Sequence, residues 1–273
     1  MTSSNPKSLG IGLQLYTIRD AMAADAFVSL QKVSALGYKY LELAGYADGQ
    51  FYGYEPVEFK KVVIDLGMEI LSSHVLIAST MNANTLRKIA EDHAKLGVRY
   101  CIQPWVFEEE RATLESYKRL TANWNHAGQI MKECGIQFGY HNHNFEFETI
   151  EGKIPYYDIL MAELDKDLVT MEIDLFWATK AGQNPVEMFK KYPGRFRLFH
   201  MKDMMTIEAP FYNPSTDDFA PVGTGKIDFD EILAARTIAG LEYMFVEQDS
   251  TLDGKPFDSI KTSITYLTTK FLV

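Results

Sequence analysis

The sequence predicts an α/β protein folded as a single (β/α)8 TIM barrel, in which eight parallel strands are each followed by a helix. Short β-rich runs alternate with amphipathic stretches in units of roughly 30 residues. Gly follows the last apolar residue of several helical stretches, as is usual where a helix ends. A single barrel typically needs about 250 residues, and the chain has 273. The length therefore suits one barrel without a second domain.

Four strands are predicted in the first half of the chain, at residues 11–16, 40–46, 69–75 and 100–105. A helix runs from about Phe27 to Ala35 and ends at Leu36-Gly37. Pro56 stands where the second helix begins, a position that its fixed φ angle suits. The helices after the second, third and fourth strands end at the Gly-containing pairs 66–67, 96–97 and 134–135.

The second half repeats this pattern, with strands predicted at residues 137–143, 169–178, 197–203 and 243–249. Asn184-Pro185 opens one helix, another begins at Asp228 and ends at Ala239-Gly240, and a terminal helix closes the chain. A doubly wound open sheet is the alternative architecture. The sequence has no G-x-G-x-x-G after the first strand and no G-x-x-x-x-G-K-[ST], the motifs typical of nucleotide-binding sheets. The barrel is therefore favoured.

The barrel domain is predicted over residues 10–273, after an N-terminal extension over residues 1–9. The least regular stretch is 204–227, which lies between the seventh strand and its helix and contains two prolines before Pro221. A long loop at this place is expected to lie over the barrel mouth, where such loops are often functional.

Composition and charge exclude several classes of function. The formal net charge is −10, whereas nucleic-acid-binding surfaces are basic and anionic membranes attract basic segments. We therefore expect no nucleic-acid and no membrane partner. No apolar run reaches the ~18 residues of a transmembrane helix, and the N-terminus lacks the apolar segment of a secretory signal. A cytoplasmic location is expected, and a periplasmic one is the alternative if a signal peptide precedes this sequence.

Polar residues stand at the ends of the predicted strands. In a parallel barrel all strands point their C-terminal ends at one face, where barrel enzymes carry out their chemistry. Carboxylates and imidazoles buried there must be paired, hydrogen-bonded or bound to a metal. The strand-end residues are Glu42, His74, Gln103, His141, His143, Asp174, His200, Lys202 and Glu247.

Three of these residues, Asp174, His200 and Glu247, are candidate metal ligands from the last three strands. A lone His in a strand is more often a hydrogen-bonded core residue, so the prediction depends on their occurring together. The two cysteines are far apart in the sequence, so a disulfide framework and a thiolate zinc site are not expected. Oxygen and imidazole ligands suit one divalent ion such as Mn²⁺, Mg²⁺, Co²⁺ or Zn²⁺.

Other polar and aromatic residues are given lesser roles. Glu42 and Glu172 are expected to point to the opposite face of their strands, because each is one or two positions away from the strand-end positions that face the site. Glu42 could equally be a salt-bridge partner. His93 and His126 lie in helical segments and are expected to be structural. The aromatic rings at strand ends, Trp105 and Trp177, either stack on the apolar face of a sugar ring or pack in the core.

The motifs of the chain resemble those of the sugar phosphate isomerase/epimerase superfamily, whose members share the xylose-isomerase-like barrel. The resemblance covers nearly the whole chain, from Gly-Leu-Gln-Leu-Tyr at 12–16 to Val-Glu-Gln-Asp at 246–249. Relatives include ketose 3-epimerases, inosose dehydratase and isomerase, hydroxypyruvate isomerase and endonuclease IV. The motifs that carry it are residues 171–174, 199–203, 221–228 and 246–249.

The resemblance implies one divalent cation held by Glu, Asp, His and Glu from strands five to eight. Asp174, His200 and Glu247 match three of these positions. At the fourth, family members commonly have Glu in a Glu-Asn-His stretch, whereas this chain has His141-Asn142-His143. His141 is therefore expected to be the fourth ligand or a catalytic acid/base.

The function implied by the resemblance is that of a metal-dependent isomerase or epimerase, which acts on a small carbohydrate through a stabilised enediolate. Glu247 and His141 would be catalytic. Imidazole in place of a carboxylate makes two-base epimerisation less certain, so a lyase or hydratase acting on keto-sugars or 3-keto-glycosides is the alternative. The residues expected to contact substrate are His74, Trp105, His143, Trp177 and Lys202.

Two further classes are disfavoured. A nuclease resembling endonuclease IV would need a basic face and more ligands than this acidic chain with six His offers. A non-catalytic sugar-binding barrel that has lost its metal is disfavoured, because three of the four expected metal-ligand positions carry ligand residues. The candidate phosphate-binding groups form no cluster along the sequence, so an uncharged sugar fits equally well. These groups are Lys202, Lys226 and the loop 223–225. Barrels of this family often pair, so a homodimer is one expectation of the resemblance.

Overall fold

A computed structural model describes residues 10–150, 154–207, 218–251 and 253–271. The N-terminal extension predicted over residues 1–9 lies outside the described residues. Eight parallel strands form a closed barrel, which confirms the predicted fold class. The strands are β1 (Gly10–Gln14), β2 (Tyr40–Leu43), β3 (Glu69–His74), β4 (Tyr100–Gln103), β5 (Gln137–His141), β6 (Val169–Asp174), β7 (Phe196–Met201) and β8 (Tyr243–Val246).

The barrel is closed by β1, which pairs in parallel with both β2 and β8. Each remaining strand pairs with its neighbours in the sequence. The register places Gln14 beside Glu42 and Asp174 beside His200. All eight C-terminal ends therefore meet at one face, as the sequence predicts.

Helices surround the barrel and connect successive strands. Their bounds are α1 (Arg19–Ala24), α2 (Ala26–Ala35), α3 (Pro56–Asp65), α4 (Ala83–Leu96), α5 (Leu114–Glu133), α6 (Tyr156–Glu163), α7 (Leu175–Lys180), α8 (Pro185–Lys191), α9 (Phe229–Ala234), α10 (Arg236–Ala239) and α11 (Pro256–Phe271). None of the described helices is long and apolar enough to cross a bilayer.

One predicted strand is too long. The sequence predicts extended chain over residues 169–178, but β6 stops at Asp174 and α7 begins at Leu175. The carboxylate of Asp174 accepts the backbone N–H of Trp177 at 2.8 Å, which caps the first turn of the helix. The apolar run misled the prediction because a buried strand and a buried helix are alike in hydrophobicity.

Three short two-stranded antiparallel ribbons form within the loops that follow the barrel strands. They pair Tyr46–Ala47 with Gln50–Phe51, Thr149–Ile150 with Ile154–Pro155, and Asp203–Met204 with Phe219–Ala220. The last ribbon lies within the irregular stretch predicted at 204–227, of which residues 208–217 lie outside the described part of the chain.

The barrel interior has an apolar layer below its polar end. Leu71, Ile102, Leu198 and Phe245 are buried against one another inside the strands. A Cβ on Gly12 would lie 2.4 Å from the Phe245 ring, so this position of β1 needs glycine. The His200 ring lies 6.4 Å from the Phe245 ring, measured between centroids. The apolar layer therefore forms the floor of the polar cluster described next.

Candidate metal and substrate site

A cluster of buried polar side chains fills the C-terminal end of the barrel. Almost every strand contributes to it, and Glu247 follows directly after β8. All of its members are buried, and the His74 side chain, at 9% exposed, is the most accessible. They are Gln14, Glu42, His74, His141, Glu172, Asp174, His200, Lys202 and Glu247. Since so many charged groups cannot be buried without partners, their mutual geometry decides what the cluster does.

The four predicted ligands come together in this cluster. His141, Asp174, His200 and Glu247 each offer one ligand atom, and these atoms all lie within 4.8 Å of one another. Nδ1 of His200 is 2.9 Å from Oε2 of Glu247 and 3.9 Å from Oδ2 of Asp174, and Nε2 of His141 is 3.8 Å from the same Oδ2. A tetrahedral ion would hold nitrogen and oxygen ligands about 3.3–3.6 Å apart. The spacing fits a divalent cation.

Asp174 supplies a second sign of a ligand. Its Oδ1 caps α7, whereas its buried Oδ2 makes no hydrogen bond within the described segments and is approached by Lys202 Nζ at 3.1 Å. Burial raises the pKa of Asp174 to about 6, against the opposing effect of Lys202 and His200. A buried carboxylate oxygen that makes no hydrogen bond is costly, and a metal cation at this point would add to the stabilisation that the ion pair with Lys202 provides.

Lys202 already places a positive charge beside these oxygens. Its buried Nζ lies 2.7 Å from Glu247 Oε2, 3.1 Å from Asp174 Oδ2 and 3.0 Å from Asp249 Oδ1. Burial would lower the pKa of Lys202, but the three carboxylates outweigh it and hold the pKa well above its usual range. The Lys202 ammonium and a bound divalent ion would therefore both contact Asp174 Oδ2 and Glu247 Oε2.

Glu172 is the acceptor at the centre of the cluster, contrary to the expectation that it points elsewhere. Its Oε2 lies 2.8 Å from His74 Nε2, 3.1 Å from His141 Nδ1 and 3.1 Å from His200 Nε2. Burial would raise the pKa of Glu172, but His200 and the three hydrogen bonds hold it well below its usual value. The sequence contained the signal, because residues two apart on a strand point to the same face and Glu172 precedes Asp174 by two.

Glu42 also points inward, and Gln14 joins it. Glu42 Oε2 accepts from Gln14 Nε2 at 2.9 Å and lies 2.5 Å from His200 Nε2. Burial and the Glu172 charge raise the pKa of Glu42, against the lowering effect of His74 and His200. The sequence analysis does not include Gln14 among the site residues. It could have been found, because Gln14 is a polar residue at the end of the otherwise apolar first strand, the same pattern that identifies site residues at the other strands.

The two imidazoles of the predicted ligand set differ in charge. Burial would lower the pKa of His200, but Glu172, Glu247 and Glu42 outweigh it and hold the pKa well above its usual value. Burial, together with the His200 charge, lowers the pKa of His141 to about 3. His141 is therefore a neutral imidazole, the form that binds a metal, whereas His200 would have to release its Nδ1 proton when an ion binds.

A deeper group, His74, His141, Glu172 and His200, also has its ligand atoms within 4.8 Å of one another. The group is better described as hydrogen-bonded, because three imidazole nitrogens share Glu172 Oε2. His141 and His200 thus turn one nitrogen to Glu172 and the other to Asp174 or Glu247. Carboxylates commonly fix metal-binding imidazoles in this way, so the outer group is the stronger candidate for the metal.

A large cavity of about 1,220 Å³ opens above the cluster. His141 and Glu247 line it, and so do all the residues predicted to contact substrate, namely His74, Trp105, His143, Trp177 and Lys202. His143 stands between two aromatic residues, with ring centroids 4.7 Å from Trp105 and 5.3 Å from Trp177. The cavity and the candidate ligands therefore form one site.

His143 is held by its backbone rather than by its ring. Its N–H donates to Glu146 Oε2 at 2.8 Å, and the buried Nδ1 has no hydrogen-bond partner within the described segments. Burial, with the charge of Lys202, holds the pKa of His143 well below its usual range. The half-buried ring is therefore neutral, and the residue lines the cavity.

Three other features singled out in the sequence are structural. The loop 223–225 does not offer free N–H groups for phosphate, because Gly223 and Gly225 donate to Asp203 Oδ2 at 3.0 and 2.9 Å. Gln103 accepts from the Ile77 N–H and donates to the Trp105 carbonyl, so it braces two loops. Burial lowers the pKa of His93 to about 4, and its ring bonds to Ile89 and Ser73, as expected for a structural His.

Comparison with known proteins agrees with the fold described above. The family model described as a xylose isomerase-like TIM barrel matches residues 30–250. An inosose dehydratase of Clostridium botulinum (strain Alaska E43 / Type E3) is 30% identical over 150 residues, which are 50% of this chain and 49% of that protein. The match thus spans about half the length of this curated relative.

Solved structures extend the similarity to the whole chain. A sugar phosphate isomerase/epimerase from Parabacteroides distasonis ATCC 8503 superposes with a TM-score of 0.80 at 27% identity, covering 98% of this chain and 96% of that one. The IolI protein, solved with a bound zinc atom, gives a TM-score of 0.73 at 16% identity over 96% of this chain and 97% of its own. The second likeness concerns the fold alone.

Proposed function

This chain belongs to the family of xylose isomerase-like TIM barrels, and from that membership we propose that it is a metal-dependent lyase of small keto-sugars or cyclic polyhydroxy ketones. The reaction would remove water, or another leaving group, from the carbon next to the one that loses a proton. The observation that carries the proposal is a neutral imidazole, His143, beside the candidate metal ligands and facing the cavity.

His141, Asp174, His200 and Glu247 would hold one divalent ion. Two imidazoles and two carboxylates suit Zn²⁺, Co²⁺ or Mn²⁺ better than they suit Mg²⁺, which prefers oxygen. When bound, the ion would polarise the substrate carbonyl and make the neighbouring C–H bond more acidic.

His143 would move the proton. Its neutral Nε2 accepts the proton of the carbon next to the carbonyl, and the C–H electron pair forms the new double bond as the C–O bond at the next carbon breaks. Because burial disfavours the imidazolium, Nε2 returns this proton readily to the leaving hydroxyl, which departs as water. One residue thus acts as base and then as acid.

Other residues would orient the substrate. Lys202 holds Glu247 and Asp174 in place through ion pairs at 2.7 and 3.1 Å and lines the cavity. Trp105 and Trp177 flank His143 and offer aromatic faces to the apolar side of a sugar ring.

Isomerisation or epimerisation is the second candidate, because the solved structure named sugar phosphate isomerase/epimerase matches nearly the whole chain. Both reactions begin with the same proton transfer. In isomerisation the proton returns to a neighbouring carbon and no leaving group departs. The replacement of a carboxylate by His141 supports the lyase, since two-base epimerisation needs a basic group on each face of the substrate.

One experiment separates these functions. The protein loaded with Mn²⁺, Co²⁺ or Zn²⁺ is incubated in D₂O with an inosose, a ketohexose and a 3-keto-glucoside, and products are followed by mass spectrometry and NMR. A product that lacks one water or the aglycone supports the lyase. A product of unchanged composition with deuterium on carbon supports the isomerase instead. Absence of both changes with every metal would refute the two proposals together.

His143→Gln is the critical variant in this assay. It should abolish elimination while metal content stays that of the unaltered protein, because His143 is outside the ligand set. His126→Gln, which changes a residue of α5 away from the cavity lining, is the matched control. Unchanged turnover by His143→Gln would remove the proposed acid/base.

A further inference from the structure

A buried carboxylate holds the segment that carries His143. Glu146 lies in the short 3-10 turn Phe145–Phe147 after β5 and is fully buried. Its Oε2 accepts the backbone N–H of His143 at 2.8 Å, and its Oε1 accepts the Tyr140 hydroxyl at 2.6 Å. A buried carboxylate is costly unless it is hydrogen-bonded, so the two bonds stabilise the turn. The proton transfer proposed above gives Glu146 no part.

The two partners of Glu146 lie on either side of His141 in the sequence. Successive side chains of a strand point to opposite faces, so Tyr140 points out of the barrel where His141 points in. The Tyr140 ring packs against Trp124 of α5, with centroids 4.9 Å apart. Glu146 therefore ties His143 to the rigid end of β5, which positions a side chain more exactly than another loop could.

The same turn also packs against the His143 ring. The rings of Phe145 and His143 are nearly parallel, with planes 7° apart and centroids 5.8 Å apart. The Arg111 guanidinium lies 3.9 Å from the centroid of Phe145. Trp105 packs nearly perpendicular to both rings, at 4.7 Å from His143 and 5.1 Å from Phe145. The turn thus contacts both the backbone and the ring of His143, and a shift of Glu146 would move both.

The surroundings of Glu146 place its change of charge near neutral pH. Burial raises the pKa of Glu146 to about 7, against the lowering effect of its hydrogen bonds and of a nearby guanidinium. The charged and titratable groups that face it from the neighbouring elements are Arg111, Tyr117, Tyr140 and Tyr157. Burial holds the pKa of the three tyrosines well above their usual range, so they stay neutral. The His143 N–H therefore meets a strong acceptor when Glu146 is ionised and a weaker one when it is protonated.

We propose that Glu146 is a positioning residue, which fixes the backbone and ring of His143 for proton transfer and does so best in its ionised form. The role in proton transfer rests on the proposed function. A general base acts only within hydrogen-bond reach of the proton that it takes, and a displacement of about 1 Å can cost about 100-fold in rate. Glu146 is not among the described residues that line the cavity, so it acts through His143.

Nuclear magnetic resonance tests the bond without requiring turnover. The protein is labelled with ¹⁵N-histidine in the presence of Zn²⁺, and the His143 amide signal is identified among the six His by its loss in His143→Gln. Its amide proton shift should change with pH around a midpoint of about 7, and this change should be absent in Glu146→Gln. A His143 amide that does not respond to pH, or that responds equally in Glu146→Gln, would overturn the proposal.

Turnover in the elimination assay tests the positioning. Glu146→Leu should lower kcat by about 100-fold and leave KM and metal content nearly unchanged. Glu146→Gln should keep most of the activity, because its amide oxygen can still accept the His143 N–H. Glu110→Leu is the matched control, since Glu110 likewise accepts a loop N–H, that of Ser79 at 3.1 Å. An equal loss of kcat in Glu110→Leu, or a loss of metal in Glu146→Leu, would contradict the assignment.

The pH profile of kcat distinguishes positioning from a merely structural role. In the unaltered protein kcat should rise through about pH 7 as Glu146 ionises, and in Glu146→Gln this rise should be absent. Tyr140→Phe removes a hydrogen bond that lowers the pKa of Glu146, so the rise should move to higher pH by about one unit. A rise that persists in Glu146→Gln, or that does not move in Tyr140→Phe, would belong to another group and remove the proposed role.

The outcomes also separate this inference from the proposed function. A His143 amide that titrates with Glu146, in a protein that shows neither elimination nor deuterium exchange, would leave the positioning of His143 standing and remove the lyase. Elimination with equal kcat in Glu146→Leu and the unaltered protein would leave the lyase standing and remove the positioning role.

Discussion

Oε2 of Glu172 lies 3.1 Å from Nδ1 of His141, which leaves Nε2 of the same ring directed at Asp174. The hydrogen bond places the ring proton on Nδ1 and the lone pair on Nε2, where a metal ligand needs it. Glu172 therefore positions a ligand without belonging to the ligand set.

Replacement of Glu172 by Gln should weaken metal binding by about 10- to 100-fold, the range found when such supporting carboxylates are lost. The dissociation constant can be measured by competition between the protein and a chelating dye. Glu146→Gln is the control, since Glu146 is equally buried but touches His143 and Tyr140 instead of the candidate ligands. Equal affinity in Glu172→Gln and the unaltered protein would show that Glu172 has no such role.

Asp174→Asn should lose the metal, at least about 100-fold in affinity, and remain folded. Asn is as good a helix cap as Asp, so the bond to the Trp177 N–H and the start of α7 are retained. His200→Ala should lose the metal as well. Metal content after dialysis, measured by elemental analysis, checks both variants, with Asp249→Asn as a control outside the ligand set. Full occupancy in Asp174→Asn/His200→Ala would refute the predicted site.

Lys202→Met should bind the divalent ion more tightly, by about tenfold, and lose turnover. The Lys202 ammonium lies against the oxygens of Asp174 and Glu247 that the metal would use, so its removal ends a repulsion between like charges. The chelator competition used for Glu172→Gln measures the change. Weaker metal binding in Lys202→Met would mean that Lys202 supports the ligands more than it competes with the ion.

Glu146 should make stability depend on pH. Burial raises the pKa of Glu146 from 4.5 to about 7, so the folded protein holds this proton more tightly than the unfolded chain does. The contribution is fully present below pH 4.5 and is lost as pH rises to about 7, with an upper bound of about 3 kcal/mol. In urea unfolding, Glu146→Gln should gain stability relative to the unaltered protein between pH 5 and pH 8. A constant difference would contradict this linkage.

Asp203 should be a structural residue of the barrel mouth. Its carboxylate accepts the N–H groups of Met204, Gly223, Gly225 and Ile227, so Asp203→Ala leaves several donors without a partner. We expect a loss of about 2–4 kcal/mol in the free energy of unfolding. Thr224→Ala, which removes an exposed hydroxyl from the same loop, should cost far less. Equal stability of both variants would show that the carboxylate does not hold the loop.

The barrel and much of its site could be predicted from the sequence because both depend on regular patterns. Unit length and glycine-terminated helices gave the fold, and polar residues at strand ends gave Asp174, His200, Glu247 and the residues that line the cavity. These positions follow from strand direction alone, which a parallel barrel fixes for all strands at once.

The remaining features depend on contacts between distant segments. Glu42 and Glu172 point inward, contrary to the prediction, because β2 and β6 each carry a register shift just before these residues, at Leu41/Glu42 and Met171/Glu172. Glu172 also lies two residues before Asp174 and therefore faces the same side of its strand. The role of Asp203 could not be read from its motif, since three of its four partners, Gly223, Gly225 and Ile227, lie about 20 residues farther along. The ribbon at Tyr46 depends on the bond of the Tyr46 hydroxyl to Asp92 of α4, a contact that local sequence does not specify.

The bond between His200 and Glu42 joins residues 158 positions apart. Contacts of such long range form late, because the intervening chain must first be ordered. Neither half of the chain contains both residues, so neither half can assemble the polar cluster by itself. Metal capture during refolding would therefore report the moment at which the barrel closes, and it should lag behind the appearance of helical circular dichroism.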